Sequence, residues 1–432
     1  MAQIELRSGD YPAVERRLTV LLDQLSAQKN PRLRARALLT LATSFMRRNQ
    51  AERAAEIYDE VLALRQDPPD QEVIGIARLG RGLVLSQRSR LDEATAELGR
   101  ARIALQTAGD PLAVATVDVN LGDFQSLRHR PADALPMLDR AARQYRQLGA
   151  REGFAHSAVA RANLHVQLLD PAAALAALDE VWPAESHTSN VRMRWSIVQA
   201  RADVLASLGR FDEAQSLIER VRTQSDPAQD GATRALGEAV AASIAWQRGD
   251  LAAAAGLLAP PMLDTLARDD PDAYVGAALL YARANRRTGR AAAADEVLRA
   301  LREKMKSEGD DWHQAYAALA DAELAWSENR RDAALQAFAA ANRYAERVNV
   351  PDVVVTTAVP AIEAMIHSQH LDDAQALAGR IAPWADRDAR VAWAQVRLFR
   401  ALGQSDAERR ARDTAARLSG GVEPPETVEK SG

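Results

Sequence analysis

Small and large apolar residues return along this chain at fixed intervals. Alanine stands at Ala54, Ala94, Ala134, Ala174, Ala214, Ala254, Ala294, Ala334 and Ala374, each 40 residues after the last, with no insertion or deletion between them. A second column of small residues, Ala2, Ala42, Gly82, Gly122, Ala162, Ala202, Ala242, Ala282 and Ala322, keeps the same spacing and precedes the first column by 12 residues. Four residues after the alanines of the first column come Tyr58, Leu98, Leu138, Leu178, Ile218, Leu258, Leu298 and Phe338. That i, i+4 spacing puts the small and the large residue on one helical face. Two small residues on either side of a turn predict two helices in close contact.

The turn column reads Gly9, Asn49, Ser89, His129, Leu169, Gly209, Gly249, Gly289, Asn329 and Gln369. Glycine and asparagine are the residues that most readily take the left-handed conformation ending a helix. The unit is therefore helix, short turn, helix. LGRFDEAQSLI from Leu208 to Ile218 and SRLDEATAEL from Ser89 to Leu98 carry it most plainly. Nothing alternates with a strand period for long, and VVVTTAV from Val353 falls where the spacing requires a helix. The predicted fold class is all-α.

These small, small, large-apolar columns resemble those of the tetratricopeptide repeat over nearly the whole chain. The period exceeds the usual repeat of about 34 residues, so longer helices or inter-repeat loops are expected, as in the roughly 40-residue variants of bacterial regulators. The resemblance implies a right-handed superhelical solenoid of about ten helix-turn-helix repeats plus a shorter C-terminal capping repeat, with a concave face lined mainly by the first helix of each pair.

The two ends differ. Ala2 falls in the middle of a first helix whose opening turns are missing, so the chain is expected to be a piece of a longer protein. Near the other end, RLFRALGQSDAERRARDTAARL puts its turn glycine at Gly403, six residues early for a 40-residue period. The charged second helix of that copy suits a cap with a wet outer face. Residues 1–418 are read as one solenoid. Residues 419–432, which include GGVEPPETVEKSG, are too poor in apolar side chains to pack and are expected to be disordered. QDPPDQ near Asp67, GDP at Gly109, PAESHTSN from Pro183, TQSDPAQDG from Thr223 and RDDPD from Arg268 mark boundaries between repeats. Pro360 lies inside a first helix, which predicts a kink or a restart.

A chain of 432 residues is long for one globular core, but a solenoid grows by adding units that touch only their neighbours. It is 47% hydrophobic and only 5% aromatic, so the core must rest on Ala, Leu and Val at short helix separations. The net charge is −4, and of the 55 basic residues all but Lys29, Lys304, Lys306 and Lys430 are arginines, spread over every repeat. With no basic domain, direct nucleic-acid binding is not expected. The absence of cysteine excludes disulfides, thiolate metal sites and a cysteine nucleophile. Apolar stretches such as Leu251 to Leu263 are too short for a membrane span and contain Pro260 and Pro261. A soluble chain is expected, either cytoplasmic or the periplasmic part of a membrane-anchored regulator.

Chemistry is sparse. His367 and His370 are an i, i+3 pair followed by Asp372 and Asp373, but no third ligand is committed to them, and no metal or cofactor is expected. GRGLVLS at Gly80 lacks the lysine of a phosphate loop, and neither GxSxG nor HExxH occurs. The acid pairs Asp92–Glu93 and Asp212–Glu213 open second helices, where the helix dipole favours them. They read as structural acids, and no catalytic residue is assigned.

What remains is the inner face. The residue after each small slot of the first helix is rotated about 100° from the partner helix. From the fourth copy on it reads Asp123, Asn163, Asp203, Ser243, Arg283, Glu323 and Glu363, all polar. Asn120, Gln167, Gln199, Gln247 and Arg287 share that face, with Trp246 and Trp326 at its flank, two repeats apart in the same slot. A polar ladder with two large aromatics suits a groove for an extended peptide or a partner helix. The same pattern also fits a solvated face above core tryptophans. Some family members grip a C-terminal carboxylate with lysine, asparagine and arginine, but only Asn120 and Asn163 resemble that clamp and its lysines are missing.

The expected function is a non-enzymatic scaffold that binds a protein or peptide along the concave face. AGRIAPWADRDARVAWAQVRLFRALGQ is similar to the ends of repeat arms attached to bacterial serine/threonine kinases or winged-helix regulators, which implies a sensory or partner-binding arm of a larger signalling protein. Two alternatives stand beside it. One is a small-molecule-sensing solenoid of a transcriptional regulator, its pocket lined by Asn163, Asp203, Trp246 and Arg283. The other is a free-standing adaptor.

Overall fold

The computed structural model describes residues 11–25, 30–64, 67–88, 90–226, 230–307 and 309–428, and all regular elements among them are helical. By its contacts the chain divides into two compact units, Met1–Ser157 and Ala158–Gly432.

First helices of 17 residues begin at Pro31, Gln71 and Pro111 in the first unit and at Val191, Gly231, Pro271, Asp311 and Pro351 in the second. Another, Arg151–Gln167, contains the division point. Their starts are set by side chains as well as by packing. Asp70, Asp110, Asn190, Asp270 and Asp310 each accept the backbone N–H three residues on, a cap worth about 1 kcal/mol. Proline at the first helical position of Pro31, Pro111, Pro271 and Pro351 gives up an N–H that would have had no partner in the helix.

Second helices begin at Ala51, Leu91, Pro131, Pro171, Phe211, Leu251, Ala291, Arg331 and Leu371. Arg90 and Arg210, just before two of them, each hold the glutamate three residues on through two hydrogen bonds. The neighbouring Asp92 and Asp212 pair with Arg128 and Arg248. All four acids are thus engaged in holding helices and repeats.

Between the two helices of a pair the backbone turns left-handed at Asn49, His129, Leu169, Gly209, Gly249, Gly289, Asn329 and Gln369, and again at Gly403 in the shortened last pair. Gly9 and Ser89 lie outside the described residues. After each turn an N–H reaches back to a carbonyl of the last helical turn, as from Gln50 to Phe45, Arg210 to Leu205 and Gln404 to Phe399. That closure satisfies carbonyls the helix end would leave open.

The nine alanines of the first column have no exposed surface, and the large apolar column from Tyr58 to Phe338 is buried with them. At Gly122 there is no space for even a methyl group unless Leu138 moves. A Cβ on Gly122 would sit 2.8 Å from Leu138 Cγ.

Two expectations are revised. Of the kink or restart expected at Pro360, the restart does not occur: the helix Pro351–His367 runs through it. Residues around the proline are buried on nearly every side, from Val353 to Ala364, and this packing outweighs the hydrogen bond lost at the ring. The second concerns the segment expected to be disordered. After the left-handed Gly420 and Gly421, residues 422–428 run without regular structure against first helices of the second unit, bending at Thr427 and Val428, and Val428 is buried in its core. The segment is poor in apolar side chains, but hydrogen bonds and ion pairs hold it. Residues 429–432 lie outside the described residues.

Replacing the fully buried Ala214 with Leu should overpack the contact between the two helices of its repeat and cost about 1–3 kcal/mol, whereas Arg210→Ala removes only an exposed ion pair and should leave the melting temperature nearly unchanged. Thermal denaturation of the two variants checks this, and equal melting temperatures would refute the helix register.

Candidate functional site

In the second unit the slot after the small residue brings one polar side chain from each successive first helix to a common face: Arg283 from Pro271–Arg287, Glu323 from Asp311–Ser327 and Glu363 from Pro351–His367. The next helix, Ala389–Ala401, supplies Arg397. These four form two ion pairs. Arg283 donates from Nε and Nη2 to Glu323 Oε1 at 3.0 and 2.6 Å, and Arg397 Nη1 donates to Glu363 Oε1. Both glutamates are at most 2% exposed, so either charge left alone would carry a heavy desolvation cost.

The second oxygen of Glu363 faces the 422–428 segment. It accepts from the backbone N–H of Thr427 at 2.7 Å, from the Thr427 hydroxyl and from the N–H of Val428 at 3.2 Å. Arg397 Nη2 donates to the carbonyl of Pro424 at 2.5 Å and Arg287 Nη2 to that of Glu426 at 2.6 Å. His367 Nε2 lies 3.1 Å from Glu426 Oε2, and Arg400 Nη2 lies 3.1 Å from Glu423 Oε2. The imidazole holds the Glu426 carboxyl below its ordinary value, helped by Arg397 and Arg287. One face thus grips an irregular segment, bent at Thr427 and Val428, by its carbonyls, its amides and two of its acids. The second oxygen of Glu323 has no partner among the described residues.

Of the residues expected to form the site, Arg283, Arg287, Glu323 and Glu363 converge here. The tryptophans do not line the face as open anchors. Trp246 and Trp326 are buried, the first about 6.0 Å beneath the Arg287 guanidinium and the second 6.3 Å from the His367 ring with Arg331 over it at 3.7 Å. Large rings contribute most by filling the space between helices, so they form the floor. Asn163 is exposed and Gln167 half-buried. Gln199 is buried with its Oε1 unpaired, and Ser243 lies 3.5 Å from Gln247. None of these hydrogen-bonds to the 422–428 segment among the described residues.

Asp203 is half-covered by its nearest neighbours and enclosed by protein at longer range. Burial, and then the Asp352 carboxylate, push its carboxyl from 3.8 up to about 6.

Asn120 and Asp123 belong to the first unit. Asn120 Nδ2 is turned back to the carbonyl of Thr116 at 2.7 Å, and Asp123 lies 3.6 Å from His156 Nε2, whose pKa it raises. That unit also has a cleft of about 480 Å³ between Arg102, Arg140 and Arg143. Two of these arginines are tied to the buried Asp118, Arg102 at 2.8 Å and Arg140 at 3.3 Å.

His367 and His370 are engaged separately, the first with Glu426 and the second 3.8 Å from Asp373. Among the described residues no third ligand completes a set around them.

Sequence reasoning missed Arg397, His367 as a groove residue, and the segment itself. Arg397 was within reach, since it stands 34 residues after Glu363, which is the spacing of the shortened last copy. His367 is one helical turn beyond Glu363 on the same face. The segment gave no packing signal of its own, because its only deeply buried side chain is a single valine.

Comparison with known proteins adds the fold. No family model matches the chain, and no curated protein matches it. Among solved structures it is similar to the apo form of the quorum sensor NprR from B. thuringiensis, with a TM-score of 0.56 and 14% identity over 83% of this chain and 99% of that one. The chain is an all-α helical repeat solenoid. It also matches BtubC (BKLC) from P. vanneervenii, with a TM-score of 0.43 and 15% identity over 49% of this chain and 88% of that one. No helix among the described residues is long and apolar enough to cross a membrane.

The raised carboxyl of Asp203 has a testable consequence. The folded chain binds that proton more tightly than the unfolded chain, so stability falls as pH rises from 3.8 to about 6 and stays lower above it. Asp203→Asn removes the titration. Its melting temperature at pH 7 should exceed that of the wild type, and the difference between the two should grow as pH rises from 3.8 to about 6.

Proposed function

We propose that the second unit is a non-enzymatic binding module that takes an extended peptide segment of a protein partner across its first helices. The observation that carries the reading is the set of main-chain contacts to residues 422–428. Two carbonyls are taken by Arg397 and Arg287, and two amides by Glu363. Main-chain hydrogen bonds of this kind are open to any extended peptide, and the side-chain seats between them give selectivity.

The helix starts at 40-residue intervals, together with the columns that resemble the tetratricopeptide repeat, favour a role as the sensory or partner-binding arm of a larger bacterial regulator. The similar fold of a chain named as a quorum sensor agrees with a receiving role. A small-molecule pocket of Asn163, Asp203, Trp246 and Arg283 is less favoured, because Trp246 is buried and Arg283 is spent on Glu323.

A full-length Thr427→Pro/Val428→Asp variant loses one amide donor, the hydroxyl and the apolar anchor of the resident segment. A fluorescent peptide with the sequence of residues 421–432 should bind it saturably. Arg287→Met in the same background leaves both buried ion pairs intact and should weaken that binding severalfold. A well-folded variant with no saturable binding would overturn the reading.

A further inference from the structure

The groove is selective in its chemistry, and each selective contact can be assigned to a residue of the segment it holds. Two acids three positions apart are engaged by the face: Glu423 lies 3.1 Å from Arg400, 3.6 Å from Arg397 and 3.7 Å from Arg412, and Glu426 lies 3.1 Å from the His367 imidazole. Between them stand Pro424 and Pro425, which bring no N–H in need of a partner, and the carbonyl of Pro424 is used by Arg397. Their fixed φ also keeps the unbound segment extended, which lowers the entropy lost on docking.

Thr427 is the most demanding position. Its N–H and its hydroxyl both donate to Glu363 Oε2. A residue without a hydroxyl would supply only the first of these. Val428 follows, 3% exposed among the apolar residues of the second unit, where a charge would be excluded.

Glu363 also determines what can replace the segment. It is 1% exposed, and one of its oxygens collects three hydrogen bonds from residues 427 and 428. If a replacement covers this carboxylate as the segment does but brings no donors, those bonds are lost by a buried carboxylate, which is costly. A replacement must therefore bring the same donors to the same point.

We infer that the ligand of this groove is an extended segment of another protein with the order acidic, Pro, Pro, acidic, Thr or Ser, aliphatic, and that residues 423–428 are a resident copy which this ligand must displace. The inference rests on the peptide-binding reading above and adds the identity of the ligand and the competition for the site.

The test uses the full-length wild type, the full-length Thr427→Pro/Val428→Asp variant and three labelled peptides: VEPPETVEK, a scrambled peptide of the same composition, and VEPPEVVEK, in which valine replaces the threonine. The ordered peptide should bind the variant at least tenfold more tightly than it binds the wild type. The valine peptide should lose at least fivefold on the variant, and the scrambled peptide should not bind. Equal affinity for wild type and variant would overturn the inference, because the resident copy would then not hold the groove. Equal binding of ordered and scrambled peptides would overturn it too, showing attraction to acidic charge without order, while leaving peptide binding in place. Binding of none of the three would remove the peptide-binding reading as well. A wild-type mass that doubles with concentration by light scattering, when the variant's does not, would mean that the occupant is a second copy of this chain, and the inference would fail.

Discussion

The structure depends on the close approach of two helices at a residue with almost no side chain. Wherever Ala54 and its equivalents stand, the partner helix lies against them with no exposed surface left, and at Gly122 the space would not take a methyl group without moving Leu138. A contact that tight fixes the rotation of each first helix about its own axis. Because the helices are 17 residues long and begin at the same phase, the residue after the small slot always emerges on the same side. Packing at one face thereby aligns Arg283, Glu323 and Glu363 at another.

That alignment has an electrostatic consequence. Buried carboxylates are tolerated only when paired and hydrogen-bonded, and the ladder meets this by giving each of its two glutamates an arginine from an adjacent first helix. Arg283 answers Glu323 and Arg397 answers Glu363. In each case the arginine engages one carboxylate oxygen. Glu363 completes its second oxygen with the amides and hydroxyl of the 427–428 region, while that of Glu323 has no partner among the described residues. The face is therefore a set of fixed charges and acceptors that meets the backbone of residues 424–428. Asp203, with its raised carboxyl, is a place on an earlier helix of the same unit where such compensation is incomplete.

Much of this was legible in the sequence for a simple reason. A repeated contact leaves a repeated residue, so the alanine columns, the turn residues and the polar slot could be read by counting. Capping acids such as Asp70, Asp110 and Asp270 follow the same count. Where the count changed, reading became harder. Arg397 stands 34 residues after Glu363 instead of 40, and a ladder carried forward at constant spacing passes it by. The tryptophans were ambiguous for another reason, since a large ring at the edge of a polar face can serve as anchor or as core, and only the neighbours decide. Burial of Trp246 and Trp326 places them beneath the face.

The sequence by itself determined the helices, their pairing, their turns and the face on which the polar ladder stands, because those follow from local periodicity and from the size of a residue at a repeated contact. Only the tertiary structure decided the fate of residues 422–428. Proline, glutamate and threonine carry no instruction to pack, and composition alone predicts disorder. Their order comes from groups far away in sequence, Arg287, Glu363, His367 and Arg397, which are brought to one place by folding and whose polar atoms need partners once they are out of water.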